Sequence, residues 1–461
     1  MQSFQAGSLA QSFIKKAFAV SMGLAMCVGC SLGGDDDLDG SVDLALVGQL
    51  QAALAGNGVT PIDAPPAVSA ELFALGQALF FDKIISGNQD VSCATCHLPS
   101  ISSADGRTLP RGVDGTNLGP ARFGGEIVPR NSPALFTLHG AESMFWDARI
   151  ELLGNGTLVT PAGADLTPAM RAVFLPGIEI LAAQAMFPPT SRAEMRGQPT
   201  ENELADLADA DFTGIWSGLM DRLLLVPAYS QLFQSAYPMT GVMDFNFAHA
   251  ANAIAAFESE GFGRADSAFQ RFVAGDTDAL TNDQLRGGIE FFGNQADCSR
   301  CHSGSTFTDN TFHNTGQPQF GPGKGDGVGS DDDFGREQVT GSIADRYRFR
   351  TPTLLNIELT APYGHVGQYS DLTSMVQHYR NATGELMGYN ILEHVTDPDL
   401  INTQLANDAD VLLTLDGDLQ NPQVFNVQQI VTFLRTLTAD SALDMSDLVP
   451  VTVPSGLPID S

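Results

Sequence analysis

The chain has 461 residues, of which 43% are hydrophobic and 17% are charged, so it is long enough for two or three domains with cores of their own. It carries 54 acidic and 23 basic side chains and a formal net charge of −31. A field of this sign repels nucleic acid and anionic lipid surfaces, which argues against a nucleic-acid-binding protein, and it attracts basic partners. Solubility in a salty habitat is the alternative explanation of the charge.

The N-terminus predicts an exported lipoprotein. Lys15 and Lys16 precede the apolar run AFAVSMGLAMCVGC, which is too short to span a bilayer and is typical of a signal peptide. The small residues before Cys30 resemble a lipobox, so residues 1–30 are predicted to be a signal and Cys30 to be acylated. Cys27 stands where Leu is usual, which leaves cleavage without lipidation as the alternative.

Two further expectations follow from this N-terminus. The acidic segment 31–66 is predicted to be a flexible tether. The protein is expected in the periplasm of a Gram-negative bacterium, anchored to the outer membrane, with the lipid on Cys30 as its only membrane contact.

From residue 67 onward the hydrophobic pattern is mostly helical. SAELFALGQALFFD (69–82) has helical spacing, and so do two stretches between residues 214 and 260. TNDQLRGGIEFF (281–292) has Thr281 as a candidate N-cap, and VFNVQQIVTFLRTLT (424–438) predicts a final helix. The glycine-rich stretch 321–335 reads as a mobile, solvated linker. The expected fold class is all-α, with long loops and few strands.

Four cysteines lie in two CxxCH motifs. One motif contains Cys93, Cys96 and His97, and the other contains Cys298, Cys301 and His302. Two thiols three residues apart can bond to both vinyl groups of one haem, and the adjacent histidine can then bind its iron. The pattern therefore predicts two covalent haems of the c type. A zinc site or two redox-active CxxC pairs are the alternatives.

Four other segments carry a resemblance to a known family. PRNSPALFTL (129–138), FWDAR (145–149), ALTNDQLRGGIEFF (279–292) and FRTPTLLNIELTAPYGH (349–365) resemble motifs of the bacterial di-haem cytochrome c peroxidases. The resemblance covers nearly all of residues 67–440 and is strongest to the MauG and MbnH-like branch.

This resemblance implies two cytochrome c-like haem domains. Residues 67–242 are expected to form an N-terminal peroxidatic domain, and residues 243–414 a C-terminal electron-transfer domain. A C-terminal helix at about 415–440 is expected to pack on the first domain.

The family motifs also imply roles for single residues of the first domain. Trp146 of FWDAR matches the tryptophan that lies between the two haems, where an indole can relay electrons. Gln184 and Glu194 match a pair over the peroxide-reactive haem, where a carboxylate can move the peroxide protons. About thirty extra residues, 150–179, precede this pair and are expected to add surface near the active site.

The first haem lacks the histidine that caps it in typical members of the family. That histidine lies eight residues before the Asn of the RNxP motif, and this position is Phe123. No histidine occurs between His97 and His139, and His139 reads as a structural residue. The resemblance therefore implies that His97 is the only protein ligand of the first iron.

The segment SMVQHYRNA offers Met375, His378 and Tyr379 as ligands for the second iron. In the family this ligand lies fourteen residues after the histidine of APYxH, which selects Tyr379, as in MauG. On a helix Met375 shares a face with Tyr379, whereas His378 points about 100° away. His378 remains the main alternative.

The family further implies one Ca²⁺ between the domains, bound by Asn131, Thr360 and Pro362, since oxygen ligands suit a hard cation. The implied function is a MauG-like peroxidase that uses hydrogen peroxide, stores oxidising equivalents on two haems and oxidises a side chain of a partner protein. The alternative is an ordinary cytochrome c peroxidase that takes electrons from a small cytochrome or cupredoxin. A non-catalytic electron carrier is a further alternative.

Overall fold

The computed structural model of the protein describes residues 41–461, and the account below concerns the unit Val42–Ser461. The predictions of a signal peptide and of an acylated Cys30 lie outside these residues. None of the helices between residues 41 and 461 has the length and apolar character that are needed to cross a membrane.

Helices make up most of the regular secondary structure in the described residues, as the sequence predicted. The α-helices are α1 (Leu44–Gly56), α2 (Ala70–Phe81), α3 (Cys93–Cys96), α4 (Pro168–Arg171), α5 (Glu179–Ala185), α6 (Phe212–Leu224), α7 (Pro227–Ala236), α8 (Phe247–Gly261), α9 (Ala268–Val273), α10 (Asn282–Phe291), α11 (Glu337–Thr340), α12 (Leu372–His378), α13 (Ala382–Met387), α14 (Ile391–His394), α15 (Asp408–Leu413) and α16 (Val427–Leu434).

The strands are few and short, and all of them pair antiparallel. β1 (Gly115–Thr116) pairs with β2 (Phe123–Gly124), and β6 (Phe312–His313) pairs with β7 (Phe349–Arg350). β3 (Ser143–Met144), β4 (Ile150–Leu152) and β5 (Leu158–Val159) form a three-stranded sheet in that order. The last two of these strands lie in the extra segment 150–179.

A helix precedes each CxxCH motif, and side-chain caps fix where these helices start. The Ser69 hydroxyl accepts a hydrogen bond from the Leu72 amide at the start of α2. Thr281 is the N-cap of α10, as the sequence predicted, and it forms a capping box with Gln284. Each cap satisfies backbone donors that have no partner within the helix. The helix starts therefore follow from the local sequence.

Each of these two helices makes close contact with one crossing helix, and a glycine makes the approach possible. A Cβ on Gly76 of α2 would lie 1.9 Å from the Ala253 carbonyl oxygen of α8. A Cβ on Gly287 of α10 would lie 2.2 Å from the Gln429 carbonyl oxygen of α16. Backbones can meet this closely only where a side chain is missing. The two helix pairs belong to two separate hydrophobic cores.

The two cores correct the domain boundaries that were expected from the sequence. α8 packs on α2 and α5 in the first core, so the expected boundary at 242/243 is wrong. α16 packs on α10 and α12 in the second core, and not on the first domain. The chain returns to the first core only afterwards, with Ala439 to Val453. Helices distant in sequence thus complete each core, which local periodicity does not reveal.

The prediction of a flexible tether at 31–66 is also wrong at residues 44–56, while residues 31–40 lie outside the described part of the chain. Residues 44–56 form α1, which begins after the N-cap Asp43 and packs on α10. Val47, Leu50 and Leu54 of α1 are buried in the second core. These three residues recur at helical spacing, a pattern that the acidic segment before them obscured.

A buried ion-pair network connects segments that are distant in the chain. The Arg130 guanidinium donates to both carboxylate oxygens of Asp333, at 2.7 and 2.8 Å, and lies 2.6 Å from the carboxylate of Asp147. All three side chains are less than 8% exposed. Asp333 lies near the end of the glycine-rich stretch 321–335, so the prediction that this stretch is a solvated linker is wrong at its buried end. Charges buried in this way require their partners.

Arg130→Ala is expected to destabilise the protein by about 3–5 kcal/mol, because it leaves the buried Asp333 carboxylate without its cation and leaves Asp147 with Arg149 alone. Denaturant unfolding of the holoprotein measures the loss. Arg271→Ala is the matched control. It removes an exposed pair with Asp440 and should cost less than about 1 kcal/mol. Equal losses in the two variants would contradict the importance of the buried network.

Candidate functional site

A single cavity of about 720 Å³ joins the two CxxCH motifs. Its wall includes the four motif cysteines and both motif histidines, together with segments 128–136, 349–355 and 360–364. The structure therefore brings the two motifs, about two hundred residues apart in sequence, to one continuous space.

Both motif histidines are held with one ring nitrogen available. The Nδ1 of His97 donates to the Ser103 carbonyl at 3.1 Å, and the Nδ1 of His302 donates to the Phe307 carbonyl at 2.9 Å. In this tautomer Nε2 of each ring carries no proton, so its lone pair is free to coordinate a metal. Burial lowers the pKa of His97 to about 4 and lowers the pKa of His302, so both rings stay neutral at pH 7. Neutral imidazoles with a fixed Nδ1 are typical iron ligands.

The four thiols do not assemble a zinc site. Cys93, Cys96, Cys298 and Cys301 are all free thiols. Within residues 41–461, the only group of three metal-binding side chains within mutual reach contains one of them, Cys301 with Asp309 and His313. Burial raises the pKa of Cys93, Cys96 and Cys298, which disfavours the thiolate that zinc binding or redox exchange requires.

The cavity fits haem. Besides the thiols and imidazoles, it presents the Arg350 guanidinium, which has no ion-pair partner among the described residues. Burial lowers the pKa of Arg350 to about 10, so this cation calls for an anionic partner of the kind that haem propionates provide. Bound haem would supply redox-active iron at His97 and His302.

Gln184 and Glu194 line the same cavity as His97. Gln184 belongs to α5, and Glu194 lies in a π-helical turn at Arg192–Arg196, an element that is common at functional sites. Burial raises the pKa of Glu194, although Arg149 and Lys324 oppose the shift. The site thus holds a carboxyl group with a raised pKa, which suits a group that both accepts and donates a proton.

The histidines on the cavity wall are His97, His302 and His313, within the part of the chain that the structure describes. His313 is bound by Asp309 and by Asp416. Phe123 lies in β2 and is 62% exposed at the surface.

The side chain and the main chain of Trp146 are fixed by different segments. Its indole Nε1 donates to the Asn131 carbonyl at 2.9 Å. Its own carbonyl accepts from the Arg350 amide of β7 at 2.8 Å. The residue lines the cavity that both motifs share, so its indole is held rigidly at this shared wall.

Near the second motif, Met375 and Tyr379 line the cavity and His378 does not. His378 is fully buried elsewhere, with its Nε2 2.7 Å from the Thr315 carbonyl and its Nδ1 2.8 Å from the Tyr369 hydroxyl. Both of its nitrogens are therefore engaged. Burial raises the pKa of the Tyr379 phenol.

The three residues expected at a calcium site all line the cavity. Asn131 uses its amide nitrogen to donate to the Arg107 carbonyl at 3.0 Å, which leaves its Oδ1 available. The carbonyls of Thr360 and Pro362 accept no hydrogen bond from the described residues. Three free oxygens suit a hard cation, although none of them is a carboxylate.

Two cavity residues were not found by sequence reasoning. Lys324 comes from the stretch that was read as a linker, and Glu258 comes from α8. The signal for Glu258 was available, because it is a lone acid near the end of a long alanine-rich helix. Its side chain is buried, and its Oε2 has no hydrogen-bond partner among the described residues.

Glu258→Gln is expected to remove a pH-dependent loss of stability. Burial raises the pKa of Glu258 from 4.5 to about 8. Between these pH values the unfolded chain ionises and the folded protein does not, so stability falls as pH rises through this window. The loss is on the order of 5 kcal/mol and is complete above about pH 8. Denaturant unfolding from pH 4.5 to 8.5 measures it.

The exposed Glu71→Gln is the control for this change and should follow the wild-type pH profile. If Glu258→Gln also follows the wild-type profile, Glu258 is not a neutral acid in the folded protein.

Comparisons with known proteins agree with this geometry. Residues 70–278 match the family model for di-haem cytochrome c peroxidase. The methylamine utilization protein MauG of Methylorubrum extorquens is 30% identical over 312 residues, which cover 68% of this chain and 69% of that protein. Cytochrome c551 peroxidase of Pseudomonas aeruginosa is 29% identical over 325 residues, which cover 70% of this chain and 75% of that protein.

Among solved structures, a MauG-like protein associated with microbial copper homeostasis is similar, with a TM-score of 0.56 and 25% identity over 84% of this chain and 96% of that one. The diheme peroxidase BthA from Burkholderia thailandensis shares the fold, with a TM-score of 0.52 and 18% identity over 84% of this chain and 93% of that one. Because the chain matches this family model and these relatives, and because its two CxxCH motifs line one cavity, it belongs to the di-haem cytochrome c peroxidase family and is a haem peroxidase.

Proposed function

We propose that the protein is a MauG-type peroxidase that reacts with hydrogen peroxide at the His97 site and oxidises a side chain of a partner protein. The observation that carries this proposal is the lining of the cavity. Gln184 and Glu194 line it together with His97, and no described histidine besides the motif ligands and His313 reaches it. Phe123, which stands where a capping histidine would be expected, is exposed at the surface. Peroxide would therefore need no prior displacement of a protein ligand.

In this proposal Glu194 is the acid–base group of the peroxide reaction. Its carboxylate accepts a proton from bound peroxide and returns it to the departing oxygen, and Gln184 donates a hydrogen bond to the same ligand. Arg149 and Lys324 favour the ionised carboxylate that the first of these steps requires. Trp146 relays electrons between the two haem sites, in keeping with its rigid position at the shared wall.

The second haem would have His302 and Tyr379 as ligands in two cytochrome c-like domains. Tyr379 faces the cavity, whereas both nitrogens of His378 are engaged elsewhere. A phenolate favours the ferric and higher states, so this haem would hold an oxidising equivalent rather than pass on electrons readily. One Ca²⁺ at Asn131, Thr360 and Pro362 would fix the relative position of segments from the two halves of the chain.

The partner would approach a strongly acidic protein. Because this protein has a net charge of −31, it would attract a basic face on the substrate protein or on a small redox protein through long-range electrostatics. We place this reaction in the periplasm, with the protein held at the outer membrane through Cys30, in accord with the N-terminal pattern.

The competing function is that of an ordinary cytochrome c peroxidase. The 29% identity to cytochrome c551 peroxidase supports this alternative. Stopped-flow mixing with peroxide separates the two. The MauG-type proposal expects the diferric protein to react at once, and expects slow turnover with a reduced small cytochrome or cupredoxin. A reaction that starts only after the second haem is reduced, followed by fast turnover with these donors, would establish the ordinary peroxidase instead.

A further inference from the structure

A connected group of aromatic side chains leads away from the second site. The Tyr379 ring, on the cavity wall, lies 5.4 Å from the His378 ring, and the His378 ring lies 5.3 Å from the Tyr369 ring. The Tyr369 ring lies 5.8 Å from Tyr389 and 5.1 Å from His394. All distances join ring centroids. Tyr369 and His378 are buried, while Tyr389 and His394 are only partly buried. The group therefore runs from the cavity towards the surface.

The hydrogen bonds of His378 fix its tautomer. Its Nε2 lies 2.7 Å from the Thr315 carbonyl, which can only accept, so Nε2 carries the proton. Its Nδ1 is then an acceptor, and the Tyr369 hydroxyl donates to it at 2.8 Å. A buried phenol thus donates to a neutral imidazole, within the distance at which proton transfer takes place.

This arrangement is suited to the oxidation of a tyrosine. When a phenol loses an electron it also loses its proton, and the buried surroundings of Tyr369 offer Nδ1 of His378 as the acceptor. The ring contact with Tyr389 supplies an oxidisable neighbour nearer the surface. Tyr389 is held in place because its hydroxyl donates to the Gln368 carbonyl at 2.6 Å and its ring stacks on His394.

We infer that Tyr369 is a redox relay that passes electrons from the surface at Tyr389 to the second haem site. The inference rests on the proposed function, which supplies the oxidant, hydrogen peroxide. Its reduction to two molecules of water takes two electrons, which the relay delivers, and two protons, which come from the solvent. For each electron, the O–H bond of Tyr369 breaks. The electron goes to the haem site, and the proton goes to Nδ1 of His378. A one-electron reductant at the surface then returns an electron through Tyr389, and the proton returns to Tyr369.

The test is electron paramagnetic resonance of the diferric holoprotein, frozen after mixing with peroxide, with ring-deuterated tyrosine incorporated in a parallel sample. We expect an organic radical signal that narrows on deuteration and that is lost in Tyr369→Phe. Tyr347→Phe is the matched control, because Tyr347 is also buried and its hydroxyl donates to Asp332 at 2.8 Å, yet it lies outside the aromatic group. This control should keep the signal.

Tyr389→Phe gives a second, independent readout. It should retain the radical on Tyr369 and slow its decay when ascorbate is added, because the outer member of the relay is missing. Haem absorbance recorded on the same samples separates the two proposals. A full haem response to peroxide with no tyrosyl signal, or with an unchanged signal in Tyr369→Phe, overturns the relay and leaves the proposed function standing. The lack of any haem response overturns both.

Discussion

Glu194→Gln is expected to slow the reaction of the diferric protein with hydrogen peroxide by about 10²–10⁴-fold, the usual contribution of a positioned acid–base group. The amide keeps the size and polarity of the side chain on the cavity wall but cannot accept the peroxide proton. Stopped-flow absorbance of the haem measures the rate. Glu71→Gln, which changes an exposed acid in the first turn of α2, should react like the wild type.

The pH dependence of the same reaction tests the role of Glu194 separately. Burial raises the pKa of this carboxyl group, and only its ionised form can accept a proton. The wild-type rate should therefore fall as pH falls through the raised pKa, at a higher pH than for an exposed glutamate. Glu194→Gln should lack this step in its profile. An unchanged rate in the variant, or the same profile in both proteins, would remove Glu194 from the reaction.

Tyr379→Met is expected to raise the reduction potential of the second haem by on the order of 0.1 V, because a thioether favours ferrous iron and a phenolate favours ferric iron. Met375→Leu is the matched control, since Met375 lies on the same cavity wall and keeps an apolar side chain after the change. Spectroelectrochemical titration gives both potentials.

The potentials of these two variants also show whether Tyr379 or Met375 is the ligand of the second haem. A large shift in Tyr379→Met with little change in Met375→Leu supports the tyrosine ligand. A large shift in Met375→Leu with none in Tyr379→Met would assign the ligand to Met375 and would favour the ordinary peroxidase.

The elements near the haem motifs could be predicted because their signals are local. The cap at Thr281 and the helical spacing before each motif depend on a few neighbouring residues, and the structure has both helices. The fixed Nδ1 of His97 and of His302 likewise follows from a short loop after each motif. The CxxCH motifs could be interpreted from the sequence because covalent attachment of haem requires two cysteines and a histidine at this fixed spacing.

The long-range pairings could not be predicted in this way. α8 looks the same in sequence whether it packs on α2 or on α10, and its packing on α2 and α5 in the structure shows which core it completes. The burial of Asp333 depends on Arg130, two hundred residues away. The aromatic group at Tyr369 was not predicted either, although its members lie close together in the chain, because their ring contacts depend on how the segment 369–394 folds back on itself.

The central claim is that peroxide reacts with the diferric protein and that both haems then share the oxidising equivalents. A near-infrared absorption spectrum, recorded after one equivalent of peroxide is added to the diferric protein, tests it most directly. We predict a new near-infrared band from charge shared between the two haems. A diferric protein that does not react with peroxide, or one that reacts at the first haem without developing this band, would contradict the account.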